Sequence, residues 1–231
     1  MSAGPRRLVL LRHGQTQSNV DGVWQGHLDV ELTDTGRAQA HAAGAALAAY
    51  RPVRLVCSDL QRALVTAQAV GDAAGLEPEV DPRWREYHVG QWQGLTTAEV
   101  IARHPEERLA ALRGEDLPRG IDGESPGQVA ERVRPALAEL AERLGPGECG
   151  IVVSHGGTVR VMLSVLLGID NVMVTRLFAT PGNCQWSELV ETDTGWRLVG
   201  YNLRPLSPVD PEGGAHTTAP VTDLGAARAS G

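Results

Sequence analysis

Two arginines and two histidines follow directly on short apolar runs. Arg12-His13-Gly14 comes after Leu8-Val9-Leu10-Leu11, and Ser154-His155-Gly156-Gly157 ends the run that begins Gly150-Ile151-Val152-Val153. Ser58-Asp59-Leu60-Gln61-Arg62 comes after Val53-Arg54-Leu55-Val56-Cys57. Each run has the length and β-branched content of a buried strand, closed by a glycine or a small polar residue. If the runs are parallel neighbours, both arginines and both histidines meet at the carboxyl edge of one sheet, where open α/β sheets gather ligands. Arginine grips phosphoryl oxygens through a planar fork, and imidazole can attack phosphorus or move protons near neutrality. These residues predict a phosphoryl-transfer pocket with a histidine nucleophile.

The rest of the chain supplies elements to position them. A loop from Gln15 to Asp34 precedes a helix opened by Thr33-Asp34-Thr35 and stopped at Pro52. Ser58 or Asp59 is suited to cap a second helix that runs to about Ala74-Gly75. Glu77-Pro78-Glu79-Val80 reads as an edge strand, where proline is tolerated. Trp84 to Gly94 reads as a loop containing Glu86, and a helix starts at Thr97. Ser125-Pro126 opens a helix to about Leu144, with Pro135 expected to divide or kink it. A further helix spans Thr158 to Leu167, and Gln185–Val190 and Trp196–Tyr201 form a terminal hairpin. The expected organisation is one domain over residues 1–204, a small cap insertion at about 95–127 and a disordered tail over 205–231.

Composition narrows the functional classes. The chain has 231 residues, 42% hydrophobic and 21% charged, as a globular protein does. Its net charge of −7 and lack of any basic run argue against a nucleic-acid partner. All its cations other than histidine are arginine; there is no lysine. No apolar run approaches the roughly 20 residues of a membrane span, and the start reads as no signal peptide. Cys57, Cys149 and Cys184 are widely spaced and read as buried reduced thiols, which suits a cytoplasmic protein. The edge strand near Val80 offers a surface on which a homodimer could form.

Arg12-His13-Gly14, Ser58-Asp59-Leu60-Gln61-Arg62-Ala63, Arg85-Glu86 and Ser154-His155-Gly156-Gly157 occur in this order between about Arg7 and Tyr201. Together they resemble the histidine phosphatase superfamily. The resemblance implies the phosphoglycerate-mutase-like fold: a three-layer α/β/α sandwich whose central sheet is mostly parallel with an antiparallel edge. It assigns His13 as the residue that carries the phosphoryl group. Arg12 and Arg62 would neutralise phosphoryl oxygens, and His155 would add a second cationic contact. Glu86 would protonate the leaving oxygen and later activate water. The glycines after His155, Gly156 among them, would let backbone amides approach the anion. Asn19, Gln25 and Gly26 match loop positions that line the substrate site. Specificity is expected in Gln15–Asp34 and Arg103–Gly127.

Other chemistries fit less well. A cysteine phosphatase needs five residues between Cys and Arg, and four separate Cys57 from Arg62. Asp29-Val30-Glu31-Leu32-Thr33 lacks the strand and second aspartate of an aspartate-nucleophile phosphatase. A lysine-bearing phosphate loop is impossible, and the histidines have no metal-ligand spacing, so neither metal nor other cofactor is implied. The longer insertion and substrate-contacting lysine of related mutases are missing, which favours hydrolysis of a small phosphomonoester over mutase chemistry. The acid loop and Gly182-Asn183 are similar to those of glucosyl-3-phosphoglycerate phosphatases. A protein that binds phosphoesters without turning them over would need no nucleophile and acid together.

Overall fold

A computed structural model describes residues 4–205. The strands are β1 (Arg7–Arg12), β2 (Arg54–Cys57), β3 (Glu79–Val80), β4 (Cys149–Ser154), β5 (Trp186–Thr192) and β6 (Gly195–Leu203). The apolar runs of β1, β2 and β4 form strands because they are buried on both faces, where β-branched side chains pack well. One sheet runs in the order β3-β2-β4-β1-β5-β6. β4 lies between β1 and β2 and is parallel to both; β5 is antiparallel to β1, and β6 to β5. Arg12 is level with Ser154, and Cys57 with Val153. That register brings the residues just after the three strands to one height at the carboxyl edge.

Alternation along each strand divides the core. Val9, Leu11, Ile151 and Val153 pack under α2 (Asp34–Leu47) and α3 (Gln61–Ala74). Leu8, Leu10 and Val152 pack against α6 (Pro126–Glu142) and α7 (Gly156–Leu167) on the other face. The result is three layers. Between α3 and α6 the chain carries α4 (Thr97–Arg103) and α5 (Pro105–Arg113), within the segment expected to be an insertion. α1 is a four-residue helix (Gln17–Val20) in the loop after β1.

Several expectations need correction. Neither Ser58 nor Asp59 caps α3: Leu60 is the N-cap, Asp59 pairs with Arg85, and Asp29 from a distant loop accepts from the Gln61 amide at 2.7 Å. Pro135 does not divide α6, which runs unbroken from a Ser125 cap with Pro126 in its first turn. α7 starts at Gly156, two residues before Thr158, so both glycines lie in its first turn. α8 (Asn171–Leu177), capped by Asp170, was not foreseen. The tail expected over 205–231 lies outside the described residues except for Pro205. No single helix among the described residues is long and apolar enough to cross a membrane.

Candidate active site

The carboxyl edge of β1, β4 and β2 opens into a cavity of about 460 Å³, lined by Arg12, His13, Asn19, Gln25, Gly26, Arg62, Glu86 and Gly156 among others. His13 is almost fully buried, and its Nδ1 lies 2.7 Å from the Gly14 carbonyl oxygen. A carbonyl only accepts, so Nδ1 carries the proton and Nε2 keeps its lone pair. Burial, with Arg62 and Arg12 close by, holds the imidazole well below its ordinary range. At neutral pH His13 is therefore an uncharged base with its nucleophilic nitrogen free.

His155 is the N-cap of α7 and lies behind this wall, its ring 5.1 Å from that of His13. Its Nδ1 accepts from Arg62 Nε at 3.2 Å, which leaves the proton on a buried Nε2 with no protein partner. The expected cation is not what the site holds. Burial, then Arg62, His13 and Arg12, keep this imidazole well below its ordinary range, so it offers a neutral N–H. Arg62 is buried and spread across three acceptors: His155, the Gly26 carbonyl at 2.8 Å and the Leu28 carbonyl at 2.7 Å. Arg12 donates to the Pro181 carbonyl at 2.6 Å, and its buried Nε has no partner.

Gly156 leaves room for Thr180 beside Arg12: a Cβ there would sit 2.8 Å from Thr180 Cγ2 and 3.4 Å from Arg12 Nε. The amides beyond it do not face an open anion site, contrary to expectation. They hold Glu86 instead. Oε1 accepts from the amides of Thr158 and Tyr87 and lies 3.1 Å from the Thr158 hydroxyl, whose proton goes to the nearer Arg85 carbonyl at 2.8 Å, while Oε2 accepts from the Gly157 amide alone, at 3.0 Å. A carboxylate suits the N-terminus of a helix, where unpaired amides converge. The loop behind Glu86 is braced by Arg132, which donates to the Arg83 and Glu86 carbonyls and pairs with Glu124 at 2.8 Å.

The model of the histidine phosphatase superfamily (branch 1) matches residues 8–204. The chain belongs to this superfamily. A glucosyl-3-phosphoglycerate phosphatase of Mycolicibacterium vanbaalenii is 40% identical over 216 residues, covering 85% of this chain and 94% of that one. One from Mycobacterium tuberculosis is 43% identical over 192 residues, covering 80% and 85%. A solved mycobacterial glucosyl-3-phosphoglycerate phosphatase, in complex with VO3, is 40% identical and superposes with a TM-score of 0.79 over 85% of this chain and 99% of that one. The phosphoglycerate-mutase-like fold and the assignment to the phosphoric monoester hydrolases follow.

In this histidine phosphatase the cavity gathers every singled-out residue except His155, which supports it from behind. Asn19 Oδ1 accepts from Asn183 Nδ2 at 3.0 Å, and the same Asn183 amide donates to the His13 carbonyl. Gln25 contributes a buried Oε1 without a partner. Tyr87, Arg108, Arg119 and Arg160, none of them at a strand end, also line the cavity. Arg160 carried a readable signal: it sits one helical turn beyond Gly156 on α7, so it faces the same way. Among the described residues no cluster of three or more His, Cys, Asp or Glu could hold a metal ion.

Proposed function

We propose that this chain hydrolyses a small phosphomonoester by passing its phosphoryl group through His13. The observation that supports this best is the bond from His13 Nδ1 to the Gly14 carbonyl, which aims a free Nε2 lone pair into a cavity walled by Arg12 and Arg62. In the first step Nε2 forms a bond to phosphorus while the ester P–O bond breaks. Arg12 and Arg62 stabilise the phosphoryl oxygens as charge spreads over them, with His155 holding Arg62 Nε from behind. The leaving alkoxide takes a proton from Glu86. Oε2 is the oxygen suited to carry that proton, since it accepts from one amide and Oε1 accepts from two. In the second step water gives a proton to Glu86 and attacks phosphorus, which breaks the N–P bond and frees phosphate.

Similarity to the mycobacterial enzymes makes glucosyl-3-phosphoglycerate the first candidate substrate. Three free, buried thiols at Cys57, Cys149 and Cys184 suit a reducing cytoplasm as the place of action.

The test is phosphate release, in chelator, from glucosyl-3-phosphoglycerate, the phosphoglycerates and para-nitrophenyl phosphate. The native chain is expected to turn over, with a phosphoryl adduct trapped on the His13 peptide after alkaline quench, and His13→Ala is expected to lose release. Undiminished turnover by His13→Ala would sink the mechanism. Tight phosphoester binding without release by the native chain would make the protein a sensor.

A further inference from the structure

The same cavity holds a second group of arginines that the phosphoryl chemistry does not use. Arg108 lies on α5, Arg119 in the loop before α6, and Arg160 on α7; all three line the cavity, Arg119 buried and the other two partly so. The chain has 28 acidic residues against 21 arginines, so partners are plentiful, and Arg83, Arg85, Arg132 and Arg143 each pair with one. Among the described residues no ion pair involves Arg108, Arg119 or Arg160. The Nε atoms of Arg108 and Arg160 are buried without any hydrogen-bond partner. Arg119 reaches only the carbonyls of Leu117 and, weakly, Glu115.

The nearest carboxylates are already engaged. Glu86 is held by the α7 amides, and Asp116 Oδ1 accepts from the Gly127 amide at 2.6 Å. Aromatic rings fix the cations in place instead: Arg108 stands 5.4 Å over Trp24, and Arg119 stands 5.7 Å over Tyr87. The group adjoins the phosphoryl end at Glu86, whose charge acts on Arg160 as it does on Arg12 and Arg62. The arginine charges that act on His13 are those of Arg62 and Arg12, whereas Arg119 feels Arg160 and Arg108 feels Arg119. Like charges gathered without a carboxylate partner in this way favour an anion from outside the chain.

We propose that Arg108, Arg119 and Arg160 form a second anion subsite, which takes a carboxylate on the alcohol half of the substrate while Arg12 and Arg62 hold its phosphoryl group. The substrate class is a phosphorylated carboxylic acid, a statement that rests on the hydrolase reading above. A planar carboxylate matches the guanidinium fork, and a cavity of about 460 Å³ has room for both anionic ends of a small metabolite. Two of the arginines come from the segment between α4 and α6 and the third from α7. The bound carboxylate therefore ties that segment to the core and relieves the repulsion between the cations.

The experiment compares 3-phosphoglycerate with its carboxyl methyl ester, which removes the charge and leaves the protein untouched. On the native chain kcat/KM is expected to be at least tenfold higher for the acid, mainly through KM. In Arg119→Gln and Arg160→Gln the preference is expected to fall to about twofold or less. Calorimetric titration of both compounds into His13→Ala protein reads the same preference without turnover. Equal binding of acid and ester there would overturn the subsite even if the native chain is an active phosphatase. A tenfold binding preference in a chain that releases no phosphate would uphold the subsite and overturn the hydrolase.

Discussion

At the scale of single residues, identity is fixed by how many bonds a side chain must make at once. Arg62 donates to His155 Nδ1 through Nε and to two loop carbonyls through its terminal nitrogens. Those bonds orient its fork and set the His155 tautomer. Lysine carries the charge but one nitrogen, and it cannot span the three acceptors. Arg62→Lys is therefore expected to lower kcat/KM for phosphate release about 100-fold or more, with a smaller effect on thermal stability. A loss under tenfold would mean that charge alone suffices. Arg62 itself was legible in the sequence, because a cation just past a buried strand and at a helix start points to the ligand edge. Its partners were not: the Gly26 and Leu28 carbonyls come from a loop without periodicity. Glu86 shows the same limit. Its position in the acid loop was readable, but the amides that grip it lie 71 and 72 residues away and were assigned to the substrate.

Elements hold these residues by close packing at glycines. The turn after β1 lies against the first turn of α2, where a Cβ on Gly14 would come 2.5 Å from the Gly36 carbonyl oxygen and a Cβ on Gly36 would overlap the Gln15 carbonyl. Backbone meets backbone, so neither side can yield by a rotamer change. Gly36→Ala is expected to push α2 from the His13 turn and to destabilise the fold by about 1–3 kcal/mol, read as a lower urea midpoint, with kcat falling as His13 moves. An unshifted midpoint would mean that the turn relaxes freely. Elements whose ends are signalled locally were readable, as with Thr33 before α2 and Ser125-Pro126 before α6. The start of α3 was not, because its amide partner Asp29 is 32 residues away. α8 is seven residues rich in Val and Thr, too short for a helical period to show, although Asp170 stood ready as its cap.

For the whole molecule, this design leaves a set of imidazoles whose neutral form the fold favours. His13 and His155 are buried beside Arg62 and Arg12, and His27 is half-buried with its Nε2 on the Glu86 carbonyl. All three are held below the ordinary histidine value by burial first. Between that value, about 6.5, and the lower folded values, the unfolded chain binds more protons than the folded one, so stability falls as pH falls. Each histidine contributes up to about 1.4 kcal/mol per pH unit in that window. Carboxylates such as Asp59, held low mainly by Arg85, lose their contribution only at more acidic pH, through and below the ordinary carboxylate range. A falling melting temperature from pH 7 to 5 therefore reports the histidines, whereas a fall confined below pH 4.5 would report carboxylates. His155→Gln keeps an acceptor for Arg62 Nε and removes one titrating ring, so its melting temperature is expected to fall less steeply across the same window. If native and variant slopes coincide, His155 is not neutral in the folded chain, and its Nδ1 cannot be the acceptor that holds Arg62 Nε.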